Sequence, residues 1–303
     1  MIMPSNQLLS QHCAKSRIMT ESQRSVGESI TRMGYLFFTN KLVLPGINLR
    51  LFPLVIGPTG VGKSSLVEQV SHELHAEYMK VTRGDWLVQG CRSGRPTVFQ
   101  ILDQVTTFGR VALHIDELDK FQIDFSSQEW SASLASDLWN ILDGKFPVAE
   151  YLRETEFPDR VKPSEAIVRS WIKKRLWIIG SGTWQSVFKQ CRSGSTVGFS
   201  ADITTHKVTG ETIAHSELIS PELLHRYNSD IFFLSHPDLS ETKRMLEEFG
   251  IQRLAAALGE SIAPEDINWQ HGGMRVLEAV ATRLVLAQQQ RDREKSGLST
   301  HSL

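Results

Sequence analysis

Cysteine is scarce in this chain. Cys13, Cys91 and Cys191 stand far apart among 303 residues, with no C-x-x-C pair. That excludes a disulfide framework and a cysteine zinc site, and it fits a reducing, cytoplasmic setting. No apolar run approaches the roughly 18 residues that cross a bilayer, so no membrane partner is expected. Neither sign of charge is in excess, with 33 Lys and Arg against 34 Asp and Glu, so a global basic field for nucleic acid is lacking. Met1 to Asn6 has no charged stretch leading into an apolar core, and a signal peptide is not expected. Basic residues lead only near the start, where Lys15, Arg17, Arg24, Arg32, Lys41 and Arg50 face Glu21 and Glu28. Such a surplus reads as a solvated arm before it reads as a binding tail.

What is present is ordinary globular material, 41% hydrophobic and 22% charged. It is enough for one large α/β domain with a small appendage, or for two modest domains. Within it lies one sharp motif, Gly57-Pro58-Thr59-Gly60-Val61-Gly62-Lys63-Ser64. The apolar run Leu51 to Ile56 before it reads as a buried strand. After it come Ser65 and then Leu66, Val70 and Leu74 at helical spacing, so strand, glycine loop and helix follow in the required order. Glycines let the backbone curl until several N–H groups face one anion, and the helix N-terminus adds partial positive charge. In that pattern Lys63 reaches the β- and γ-phosphates of a nucleoside triphosphate and the Ser64 hydroxyl holds Mg²⁺.

Periodicity organises the rest. Val26 to Asn40 suits an amphipathic helix, and Tyr78 to Val81 a short strand. Gly84 to Pro96, with Gly90 and Gly94 inside it, reads as a mobile loop. Helices are expected over Val98 to Val105, Ser133 to Leu142 and Ser164 to Arg175. Buried strands are expected at Val111 to Ile115, at Leu176 to Ile179 (closed by Gly180, Ser181 and Gly182) and at Ile231 to Leu234. Residues 189 to 216 read as an extended surface loop. From Pro237 the pattern is wholly helical, with Pro264 at a helix start, a break at Gly272 and Gly273, and Met274, Leu277, Ala281 and Leu284 on one face. Alternating strands and helices followed by helices alone imply a parallel sheet flanked by helices plus a small helical lid. The expected division is an arm over 1–25, a nucleotide-binding α/β domain over 26–236, a lid over 237–290 and a frayed tail over 291–303, its polarity beginning at Gln288.

A P-loop needs a second element, and the strand ending in Asp116 and Glu117 supplies one. Asp116 can contact Mg²⁺ directly or through water, and Glu117 can take the proton of the attacking water. On their own, two such carboxylates could equally be a solvated strand end. Together, Ile115-Asp116-Glu117-Leu118-Asp119-Lys120 and the glycine loop resemble the AAA+ ATPases, and within them the ClpX/HslU branch of Clp unfoldases, whose Walker B element commonly reads I-D-E-[IL]-D-K. Other segments follow in family order. Val26 and Gly27 resemble the box lining the adenine pocket. Ser181 and Thr183 resemble the sensor 1 strand end, where a polar side chain orients water. Ser220-Pro221-Glu222-Leu223-Leu224-His225-Arg226 resembles the segment carrying an arginine finger, and Gly272-Gly273-Met274-Arg275 the sensor 2 motif.

Simpler readings stand beside these. Arg226 could serve a surface ion pair. Arg275, in the first turn of a helix, is electrostatically misplaced unless phosphate or a nearby acid answers it. The resemblance implies ATP and Mg²⁺ as cofactors, ATP hydrolysis, and a homo-oligomeric ring, by the family's habit a hexamer. It also implies a protein partner that is remodelled or unfolded.

Two features bear on that partner. Val197-Gly198-Phe199 resembles the tripeptide with which Clp unfoldases dock onto a barrel peptidase, although Phe199 could pack on its own domain. Where those motors carry an aromatic grip in the pore, this chain has Gly90-Cys91-Arg92-Ser93-Gly94, and Arg92 and Arg95 would make a pore basic. That admits an acidic peptide, or nucleic acid held by an AAA+ regulator in rings or filaments on DNA. The zinc module that ClpX uses for adaptors is not expected from fifty leading residues with one cysteine.

Overall fold

The computed structural model describes residues 19–39, 51–86, 95–122, 129–157, 161–184, 221–227, 231–269 and 275–295. Contacts divide the chain into an α/β unit, residues 25–236, and a second unit made of residues 1–24 and 237–303.

Five strands form the α/β unit: β1 (Leu54–Ile56), β2 (Glu77–Val81), β3 (Val111–Ile115), β4 (Leu176–Gly182) and β5 (Ile231–Phe233). All neighbours pair in parallel, in the order β2-β3-β4-β1-β5. Helix α1 (Glu21–Thr39) precedes the first strand; parallel neighbours need crossovers, and these are helical: α2 (Lys63–Glu73), α3 (Thr97–Thr107), α4 (Glu129–Leu142), α5 (Val148–Glu154), α6 (Glu165–Arg175) and the short α7 (Pro221–Arg226). With helices covering the sheet, the central strands are buried along their whole length, and β1, β3 and β4 read as near-continuous apolar runs. Leu54, Ile56, Leu113, Ile115, Leu138, Ile178 and Tyr227 meet in one core. Where α1 passes the sheet, Gly34 lies against Trp177, whose indole N–H donates to Leu51 O at 2.6 Å.

Order β3-β4-β1 places β4 between the strand that feeds the glycine loop and the strand that ends in the two carboxylates. Ile115 and Leu54 both pair with Gly180, and Val55 pairs with Ser181. Ligand sites of open parallel sheets form beyond the carboxyl ends of the strands, where these three segments converge.

The second unit holds α8 (Leu239–Glu248), α9 (Ile251–Ala257), a 3₁₀ turn (Pro264–Asp266) and α10 (Arg275–Lys295). Met245, Leu246, Ile251, Leu258, Trp269, Leu277 and Leu284 form its core.

Several boundaries differ from the sequence reading. Gly180, Ser181 and Gly182 lie inside β4 rather than closing it. The last helix continues past Gln288 to Lys295, since Gln, Arg, Glu and Lys favour helix even without an apolar face. Residues 83–86 are helical at the start of the segment read as a loop. Its remainder at 87–94, the stretch 189–216, the tripeptide Val197, Gly198 and Phe199, and the break at Gly272 and Gly273 lie outside the described residues.

Candidate functional site

The glycine loop leaves β1 and turns into α2 through Gly60 and Gly62, at φ of 81° and 82°. A side chain at either would clash with its own backbone, so glycine is required. Gly62 is the N-cap of α2 and provides no side-chain cap. The N–H groups of that first turn are therefore oriented for an anion. Lys63 opens the helix and folds back, donating from Nζ to Gly57 O at 2.7 Å and to Pro58 O at 2.8 Å. It is 8% exposed. Burial pulls its pKa down to about 8, against the upward pull of Asp116, Asp119 and Glu117.

At the end of β3, the Asp116 N–H donates to Val81 O, continuing the ladder by one residue. Its carboxylate is nearly saturated. Oδ2 accepts from Ser64 Oγ at 2.6 Å and faces Lys80 Nζ at 3.6 Å. Oδ1 accepts from Ser181 Oγ at 2.5 Å and from the Glu117 N–H at 2.9 Å. Burial pushes this carboxyl up, but the His114 ring, the two hydroxyls and the N–H together outweigh it and leave it at about 2. Burial also holds His114 down to about 4. The ring is thus uncharged at neutral pH, and there the hydroxyls and the N–H keep Asp116 ionised. Ser64 and Asp116 present two hard oxygen donors side by side, the chemistry Mg²⁺ selects.

Glu117 contrasts with its neighbour. Its backbone sits at φ 58°, in the left-handed region that non-glycine residues seldom adopt. Its side chain is 44% exposed and pairs with Lys120 at 2.7 Å. Backbone outliers of this kind cluster at functional sites.

β4 and the residue that follows it send two hydroxyls to the same segment. Ser181, fully buried, serves Asp116. Thr183 donates from its N–H and from Oγ1 to Asp119, at 3.1 and 2.6 Å. Lys63, Ser64, Asp116 and Ser181 are thereby joined in one cluster, with Glu117 at its edge.

The remaining expected residues lie elsewhere. Val26 and Gly27 are buried on α1. Arg226, the last residue of α7, makes a bidentate pair with Asp143 at 3.0 and 3.2 Å and stacks over Trp139 at 4.7 Å, so the ion-pair reading describes it in this structure. Arg275 opens α10 in the other unit with its side chain exposed. Arg95 is held by Asp103 at 2.7 and 3.0 Å; Arg92 lies outside the described residues.

Sequence reasoning passed over three polar groups here: Tyr78, His114 and Asp119. The signal for His114 was a single polar residue in the buried run Val111 to Ile115. Asp119 was visible in the motif but had no assigned partner.

Strand order, glycine loop and paired acids define a P-loop nucleoside triphosphatase core. Residues 53–169 match the family model described as the ATPase family associated with various cellular activities (AAA). That span runs from the end of the first strand's approach, through the loop and both carboxylates, into α6. The five-stranded parallel sheet flanked by helices, followed by C-terminal helices, is consistent with a P-loop α/β AAA+ core. No curated protein matches the chain.

Proposed function

We propose that this protein hydrolyses ATP in a homo-oligomeric ring and uses the turnover to remodel or unfold a protein partner, in the manner of the Clp unfoldases. The observation that carries the reading is the joint placement of Ser64 Oγ and Asp116 Oδ2, 2.6 Å apart, beside a buried lysine at a helix N-terminus. Buried charge of this kind is costly unless a ligand or partner answers it.

Lys63 and the N–H groups of the loop from Gly57 to Ser65 bind the phosphates. An ammonium has three N–H donors, and the two carbonyl bonds leave one for a phosphate oxygen. Ser64 and Asp116 would hold Mg²⁺, which would supply positive charge against the phosphates. Glu117 exchanges its pairing with Lys120 for the water that attacks the γ-phosphorus, and takes its proton. Val26 and Gly27 flank the adenine. Arg226 acts as a finger on a neighbouring protomer's γ-phosphate and must give up Asp143 to do so; Arg275 keeps the sensor 2 role that its motif implies. Asp103's hold on Arg95 supports a protein load over nucleic acid.

Glu117→Gln tests the reading. Turnover is expected to fall about a thousandfold, within the range of lost general-base catalysis, while ATP affinity and an ATP-dependent ring, read by sedimentation, persist. Normal hydrolysis by this variant removes Glu117 from its role. Stimulation of the unaltered protein by duplex DNA, fading with salt, and not by an unfolded polypeptide would hand the load to nucleic acid.

A further inference from the structure

His114 is fully buried in β3, and the roles above do not use it. Its Nδ1 lies 2.9 Å from the Tyr78 hydroxyl and its Nε2 lies 2.8 Å from Ser181 Oγ. Ser181 in turn donates to Asp116 Oδ1. A serine hydroxyl has one proton, and a carboxylate only accepts. Because Ser181 gives its proton to Asp116, the contact between Ser181 and the ring must be filled from the ring side, with Nε2–H donating. With the ring's proton on Nε2, Nδ1 is left as the acceptor of the Tyr78 O–H. Three donors point the same way, from Tyr78 to His114, from His114 to Ser181, and from Ser181 to Asp116. Aligned bonds of this kind polarise and strengthen one another in a low-dielectric interior.

The consequence falls on the rotation of one carboxylate. The terminal torsion of an aspartate is broad and roughly two-fold, so by itself it holds neither oxygen in a fixed place. Here Oδ1 is occupied by Ser181 and the Glu117 N–H, and Oδ2 is left toward Ser64. With its lone pair engaged by His114, the Ser181 hydroxyl is steered onto Asp116.

We propose that His114 is a positioning residue which, through Ser181, locks Asp116 so that Oδ2 is presented to Ser64 and to the cation the two would share. The inference rests on the ATP-site reading above, but its first test does not.

In ring-labelled protein without nucleotide, ¹⁵N NMR is expected to show His114 as the neutral Nε2–H tautomer. An Nδ1–H tautomer would turn the donor toward Tyr78 and overturn the proposal, whatever the protein hydrolyses. Turnover supplies the second test. His114→Phe keeps a ring and loses both nitrogens. It is expected to lower kcat about tenfold, the size of one lost hydrogen bond in a buried network, and to raise the Mg²⁺ concentration for half-maximal turnover with little change in KM for ATP. His114→Gln, whose amide N–H can replace Nε2–H, is expected to recover most of that loss. In a Ser181→Ala background His114→Phe should cost nothing further. An equal loss in both backgrounds would mean that the ring acts by packing, and the proposal falls. If His114→Phe does not fold, the tautomer and the Gln variant decide. Absence of turnover in the unaltered protein would instead refute the ATP reading and leave the tautomer to judge the relay.

Discussion

The two units bury different things. Among the described residues, every buried ionisable side chain (Lys63, His114, Asp116 and the phenols of Tyr151 and Tyr227) belongs to the α/β unit. The helical unit's core is hydrocarbon apart from Thr242, which donates to Asp238 O and accepts from the Trp269 indole N–H. Its other buried polar residues, Thr20 and Gln23, are uncharged and bond each other. A protein keeps charge out of water only where something answers it. In the α/β unit the answers are a loop's carbonyls, two hydroxyls and a backbone N–H, all converging at the ends of β1, β3 and β4. The helical unit is assembled for stability, and the α/β unit gives up some stability to hold reactive groups in place.

The sharpest way to break that contrast is to remove one buried side chain from each unit. Lys63→Met is expected to weaken ATP binding about a hundredfold, the loss of charge-assisted bonds to phosphate. It should leave the denaturant midpoint within about 1 kcal/mol of the original, because the desolvation cost of the ammonium leaves with it. Leu277→Ala, at a comparably buried position in the helical unit, should cost about 2–5 kcal/mol and weaken ATP binding far less than Lys63→Met does, because Lys63 and its loop are untouched. Calorimetric titration and chemical melts read both. A Lys63→Met protein that unfolds far more easily would mean the lysine is there to hold the loop together rather than to meet phosphate.

A subtler probe concerns how tightly the site's frame is built. A Cβ on Gly180 would sit 2.5 Å from Leu118 Cδ1 and 2.6 Å from the Tyr227 hydroxyl. Leu118 follows Glu117, and Tyr227 follows Arg226, so one strand glycine carries the close packing of both candidate segments. Gly180→Ala is expected to cost about 1–3 kcal/mol by overpacking and to slow turnover with it. Gly109→Ala, where nothing stands within 4 Å, is the neutral control. Equal stability of the two variants would show that Leu118 and Tyr227 yield freely.

The same glycine shows what the sequence could and could not disclose. The glycine loop, the acid pair and the apolar runs are local patterns, and each announced its element. Gly180 to Gly182 looked like a strand stop because glycine is a poor strand former. They are strand because the rings of Tyr227 and Trp184 lie where side chains would stand. His114 with Ser181, Thr183 with Asp119 and Arg226 with Asp143 join residues 67, 64 and 83 positions apart. No periodicity encodes such pairings, which exist only once β4 is inserted between β3 and β1.

The smallest expected effect lies in the helical unit, where charge works at the surface. Asp238 caps α8, accepting from the Glu241 N–H and the Ser240 hydroxyl at 2.8 Å each, while the Glu241 carboxylate reaches back to the Asp238 N–H in a capping box. Those donors, the Glu241 N–H first, hold its pKa below the ordinary aspartate value. A depressed carboxyl contributes fully above its unfolded pKa and loses that contribution as pH falls through the folded one. Asp238→Ala is therefore expected to cost about 1 kcal/mol at neutral pH, read as faster amide exchange across Leu239–Glu248. The gap should be constant down to about pH 4 and shrink below it. Asp238→Asn, which caps without ionising, should show no such acid dependence. Were the Ala and Asn variants to respond alike to acid, the stabilisation at this helix end would not come from an ionised carboxylate.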